Sequence, residues 1–171
     1  MTVIKETITI NASKEAVWHV LADFGNVATF NPNLKNSYST SAQAGGVGAT
    51  RVCHLKPMGE VEERITAWRE AEYLQVYTLG TKGMPSFKHF VGEFKLEQVG
   101  SQSHPQTQVM MTFRYELSGL LGGLINQVMM KRQFQILSPK VLQGLKHYVE
   151  TGHKATPADL KQMRLATLAS A

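Results

Sequence analysis

Cysteine is nearly absent: Cys53 is the single one in 171 residues. One thiol cannot build an internal disulfide framework or a thiolate metal cluster. A lone thiol on a β-rich stretch usually serves as a small core hydrophobe. Charge is also sparse, at 18% of residues against 43% hydrophobic, which excludes a disordered chain and indicates a globular one. No stretch reaches the ~18 uninterrupted apolar residues of a membrane span. Met1-Thr2-Val3-Ile4-Lys5-Glu6 lacks the apolar run of a signal peptide, so a cytoplasmic location is expected. The length suits one domain with a sizeable core and is short for two.

Clustered positive charge is missing as well. Lys and Arg exceed Asp and Glu by 18 to 13, a net charge of +5, yet the densest patch is only Lys131-Arg132, with Lys140 and Lys146 following. That argues against a nucleic-acid partner and leaves a mild attraction to acidic partners, including transient contact with a membrane surface. Catalytic signatures are lacking too. There is no nucleophile elbow, P-loop or dinucleotide fingerprint, and Gly119–Gly123 flanks a Leu pair without a preceding phosphate-cradling strand turn. Among the histidines, His19 has a carboxylate at i, i+4 spacing, Glu15, a combination that is more often a surface contact than a ligand pair. No metal and no cofactor is expected.

What is present is strong periodicity. Ile4, Ile8 and Ile10 alternate with Lys5, Thr7 and Thr9, which predicts a half-buried strand. The period then changes. Ser13 can cap a helix whose apolar face is Val17, Val20, Leu21 and Phe24; Ala16 leaves the capping box incomplete, and Gly25 ends the helix. Val27–Phe30 forms another short turn before Asn31-Pro32. Six further strands are predicted: Leu34–Thr40, Thr50–Leu55, Val61–Trp68, Tyr73–Leu79, Phe87–Val99 and Gln108–Leu117. They are separated by short turns rich in Gly, Pro and Ser. After Ser118, apolar residues from Leu120 to Val149 recur at helical spacing, enough for a helix of ~45 Å. Pro139 either kinks it or divides it into two at Ser138-Pro139. Gly152 ends it, and Thr156-Pro157-Ala158-Asp159 opens a short helical tail over 153–171.

Four segments carry a family resemblance. Ile10–Trp18 looks like a strand-to-helix junction with a Val-Trp pair. Asp23-Phe24-Gly25-Asn26 with Phe30-Asn31-Pro32 resembles a second-helix motif, although Phe30 stands where Trp is common. Gly59 with Glu62-Glu63-Arg64-Ile65 resembles a Glu-Arg-Leu strand, and Leu142–Lys146 with Glu150 resembles the end of a long gripping helix. In this order they resemble the START-like (SRPBCC) superfamily, specifically its polyketide cyclase/dehydrase and lipid-transport group, over residues 1–152. The resemblance implies an α+β helix-grip fold. In it a seven-stranded curved antiparallel sheet wraps a long C-terminal helix, with two short helices after the first strand. It also implies a cavity between sheet and helix for a small hydrophobic ligand.

Strand parity nominates the residues that face such a cavity. They are Phe90, Gly92 and Phe94 on one strand; Met111, Phe113 and Tyr115 on another, with Val109; and Tyr77 and Leu79 on a third. Leu124, Val128, Phe134 and Leu137 are the facing helix positions. For any single one of these, core packing is the commoner role. Glu63 shares a face with Val61, Ile65 and Ala67, and the resemblance also points that glutamate inward. There it could orient a polar ligand end or act as general acid or base. The resemblance makes entrance loops of Lys56-Pro57-Met58-Gly59 and Gly80–Pro85, the latter with Gly83 and Met84, where exposed methionine suits a variable apolar guest.

Three functions follow. The first is binding or carrying a small hydrophobic molecule such as a lipid, quinone or polyketide-like metabolite, by a monomer or homodimer. The second is an aromatic cyclase or dehydrase acting in the same cavity, with Glu63 as its candidate catalytic residue and Tyr77, Tyr115 or His89 assisting. The third is a co-chaperone-like interaction module with a filled core.

Overall fold

A computed structural model describes residues 1–83, 85–101, 103–118 and 123–169, with the backbone alone for 123–127 and 167–169. The alternating N-terminal run forms strand β1, Thr2–Ile10. Six more strands follow the short helical segments: β2 Leu34–Ser39, β3 Thr50–Leu55, β4 Glu60–Arg69, β5 Tyr73–Lys82, β6 Phe87–Gln98 and β7 Thr107–Leu117. They form one antiparallel sheet in the order β1-β7-β6-β5-β4-β3-β2. Strands β2 to β7 are therefore neighbours in sequence order, as short turns require. The one long-range pairing sets β1 on β7, with Ile4 opposite Phe113 and Ile8 opposite Val109. Register shifts interrupt β2/β3, β4/β5 and β6/β7, the last between Phe87 and His89. Such irregularities bend a strand and increase its twist, which curves the sheet into a trough.

Helix α1, Lys14–Ala22, starts where Ser13 Oγ accepts the Ala16 N–H at 3.3 Å. A 3-10 segment, Phe24–Thr29, follows it directly. Helix α2, Gly123–Thr151, is continuous through Pro139, which decides between the two readings of that proline. The glycine-rich stretch before it, 119–122, lies outside the described residues. Helix α3, Pro157–Ala169, opens on a cap in which Asp159 accepts from the Thr156 N–H at 2.8 Å and hydroxyl at 2.7 Å. Before it, Lys154 Nζ donates to the Ala28 carbonyl at 2.6 Å.

The C-terminal half of α2 is bound tightly across the trough. Val141, Leu142 and Leu145 join Ile10, Val17, Phe24 and Val109 in one buried core. Lys146 Nζ donates to the Thr9 carbonyl at 2.8 Å, and Glu150 accepts the Asn11 N–H at 2.7 Å. Gly144 permits this closeness, since a Cβ there would stand 2.2 Å from the Phe30 carbonyl oxygen. Further towards the N-terminus of α2 the packing is looser, and Val128, Met129 and Ile136 are exposed. Among the described residues no helix is long and apolar enough to cross a membrane.

Candidate functional site

Where α2 rises off the bent sheet, a cavity of about 140 Å³ remains. Alternation on the strands supplies its floor: Leu74 and Val76 from β5, Phe90, Gly92 and Phe94 from β6, and Phe113 from β7. The roof is one stripe of α2, Phe134, Leu137, Ser138 and Val141, at the spacing that puts side chains on a common helix face. Leu21, Val27, Phe30 and Leu34 close one side, with Asn31 and Asn33 between them.

One end is aromatic. Phe134 of α2 meets Phe90 at 5.3 Å and Phe113 at 5.8 Å between ring centroids, and Phe90 meets Phe113 at 5.7 Å. Gly92 leaves room for this cluster, because a Cβ there would lie 3.1 Å from Phe113 Cε1. The other end is polar. Arg51 of β3 and Glu63 of β4 are direct register partners, and their side chains form an ion pair at 2.6 Å. The guanidinium also donates to the Phe24 carbonyl at 2.9 Å and lies 4.0 Å over the Phe24 ring. Cys53 donates its thiol to Glu63 across 3.6 Å. Burial first, and the adjacent Glu63 charge second, push the Cys53 thiol up to about 12. It is therefore a neutral thiol, not a nucleophile.

Two polar features come from the roof. Asn33 Nδ2 donates to the Leu137 carbonyl at 3.1 Å, fastening the β2 approach to α2 beside Pro139. The Ser138 hydroxyl, 0% exposed, has no hydrogen-bond partner. Among the described lining residues the ionisable side chains are Arg51, Cys53 and Glu63.

The structure sorts the residues nominated from sequence. Glu63, Phe90, Gly92, Phe94 and Phe113 line the cavity, as do Phe134 and Leu137. Ile65, Met111 and Tyr115 are fully buried but pack in the surrounding core, Tyr115 against Phe87, Phe90 and Phe134. Tyr77 and Leu79 are on the other face of β5, where Tyr77 stacks edge-on against His89 at 5.7 Å and Leu79 is exposed. The inward set on β5 is Leu74, Val76 and Thr78. Val128 faces solvent, and the Leu124 side chain lies outside the described residues. Pro57 and Met58 are exposed on a loop that Gly83 approaches through Gly59, and none of these four lines the cavity; Met84 is outside the described residues.

Sequence reasoning missed Arg51, Leu55, Ser138, Val141 and the whole side wall from Leu21 to Leu34, and placed Cys53 only in the core. The signal for β3 was present: Arg51, Cys53 and Leu55 share one parity.

The model of the family described as polyketide cyclase / dehydrase and lipid transport matches residues 1–150. The chain belongs to this family. The binding of a small hydrophobic ligand between sheet and helix is its family-level function. No curated protein matches the chain significantly. Solved structures match its fold. A Thermus thermophilus protein is similar with a TM-score of 0.73 and 15% identity, over 88% of this chain and 99% of that one. An aromatase/cyclase from Streptomyces is similar with a TM-score of 0.72 and 18% identity, over 87% and 93%. A START superfamily protein from Mycobacterium smegmatis gives 0.67 and 13%, over 86% and 97%. At these identities the likeness is one of fold, and the family's hydrophobic cavity is what this chain shares with it.

Proposed function

We propose that this protein carries one small hydrophobic molecule in the space between the trough and α2, and releases it unchanged. The observation that supports this is the cavity itself, walled mostly by Leu, Val and Phe and bounded by a charge pair that is already satisfied. Burying roughly 150–250 Å² of guest ring surface at about 25 cal/mol per Å² contributes about 4–6 kcal/mol before association costs. Affinity for simple guests is accordingly no tighter than tens of micromolar and extends into the millimolar range.

The acid–base groups nominated for a cyclase are not assembled around one guest. Tyr77 and His89 face away from the cavity, Tyr115 is enclosed by phenylalanines, and Glu63 is occupied by Arg51 and Cys53. The cyclase reading rests on Glu63 alone. Native mass spectrometry of protein purified from its host tests the carrier reading: a co-purifying neutral small molecule supports it. Turnover of a poly-β-ketone mimic that is lost in Glu63→Gln contradicts it in favour of the enzyme. The net charge of +5 and the exposed Val128 and Met129 support guest transfer during brief contact with an acidic membrane surface, which vesicle co-sedimentation at low salt checks.

A further inference from the structure

The ion pair at the polar end of the cavity is joined through one carboxylate oxygen. Glu63 Oε2 accepts from Arg51 Nε at 2.6 Å and from the Cys53 thiol at 3.6 Å. Arg51 donates from Nη1 to the Phe24 carbonyl. A guanidinium and a carboxylate that meet edge to edge commonly form two parallel bonds, one from Nε and one from Nη2. Here the second bond is not made. Among the described residues, Arg51 Nη2 and Glu63 Oε1 have no hydrogen-bond partner. The polar side-chain atoms that are both unpartnered and sealed from water are the Tyr115 and Ser138 hydroxyls, so Nη2 and Oε1 stay within reach of a small group. Both residues line the cavity, opposite each other on the strand face that also carries Cys53 and Val61.

Building on the carrier reading, we infer that this open edge of the Arg51–Glu63 pair is the polar subsite of the cavity, and that it takes the hydroxyl of an otherwise apolar, uncharged guest. A hydroxyl donates and accepts through a single atom. Its oxygen accepts from Nη2 while its O–H donates to Oε1, which closes the ring of bonds that the ion pair leaves open. A ketone or an ether accepts from Nη2 and leaves Oε1 unserved. A carboxylate on Nη2 stands beside the like charge of Glu63, and an ammonium on Oε1 beside that of Arg51, so neither finds a free counter-ion. Hydrogen bonds to ionised groups are stronger than those between neutral ones, and this one offsets the water that the hydroxyl gives up. The apolar body of the guest then lies towards Phe90, Phe113 and Phe134 at the other end.

A matched set of probes tests this by calorimetry on the full chain: 4-ethylphenol, ethylbenzene and 4-ethylbenzoate. With the open edge as its partner, 4-ethylphenol binds about 10-fold tighter than ethylbenzene, and 4-ethylbenzoate binds weakest. A cavity without a polar contact prefers ethylbenzene, because the phenol loses its bonds to water. Either single change strands a buried charge, so the informative variant is the double one, Arg51→Met with Glu63→Leu, which keeps side-chain bulk and leaves no ion. In it the phenol preference falls by about 10-fold, to equality or reversal, while ethylbenzene is still bound. The order of the three probes on the unaltered chain is a test in its own right, whether or not the double variant folds. Ethylbenzene or 4-ethylbenzoate as the tightest probe, or a phenol preference unchanged in the double variant, overturns the assignment and leaves the carrier reading intact. Binding of none of the three overturns both.

Discussion

Arg51 and Glu63 show how one residue pair sets the character of the site. Their side chains are only 10% and 19% exposed, so each charge depends on the other. Glu63→Gln leaves the guanidinium buried opposite a neutral group and is expected to cost roughly 3 kcal/mol in urea unfolding. Replacing both, Arg51→Met with Glu63→Leu, is expected to cost less than either single change, because no charge is then stranded. Cys53 gives a second residue-scale expectation. A thiol pushed up from 9.0 to about 12 stays protonated in the folded chain after it has ionised in the unfolded one. Unfolding then releases a proton, so stability falls as pH rises from about 9 towards 12, by up to about 1.4 kcal/mol per unit. The same thiol reacts slowly with a disulfide reagent at pH 8 until the protein is denatured, which an absorbance assay reads. Glu63 was legible in the sequence because valine and isoleucine flank it at strand parity. The inward side of Arg51 could be read from its parity with Cys53 and Leu55, but its partner could not, because the register that sets it opposite Glu63 is not written in either segment alone.

At the scale of elements, periodicity carried nearly everything that concerns existence and order. Seven strands, two short helical segments and the long C-terminal helix stand where alternation and helical spacing put them. Strand β5 was misread on its face because both of its faces look apolar. Tyr77 and Leu79 outweighed Leu74 and Val76 by size, yet Gln75 shares the parity of the tyrosine, and the outer face accommodates rings against His89. The close approach of α2 to the turn after the 3-10 segment was not legible either. It rests on Gly144, which as a lone glycine in a helix reads simply as a weak helix former. Gly144→Ala would improve helix propensity in isolation, but its methyl would press on the Phe30 carbonyl. The expected result is a loss of roughly 1–3 kcal/mol in denaturant unfolding, the opposite sign to the propensity effect.

For the whole molecule, function follows from a failure to close. A sheet curved by register shifts and a helix pinned at its C-terminal half cannot touch along their full length, and the side chains present do not fill the gap. Val76 lies on the floor of that gap, so Val76→Phe supplies bulk where a guest would sit. It is expected to lower ethylbenzene affinity at least about 10-fold, with a loss of roughly 1–3 kcal/mol in stability because Val76 is also packed in the core. Direct mapping of where a small apolar guest goes is the most immediate measurement of all. In a titration with ethylbenzene followed by methyl and aromatic NMR, saturable one-to-one shifts are expected at Val76, Phe94, Leu137 and Val141, with Leu79 and Tyr77 on the opposite face unmoved. Absence of saturable shifts at the first set, or shifts confined to the outer face, would contradict the account.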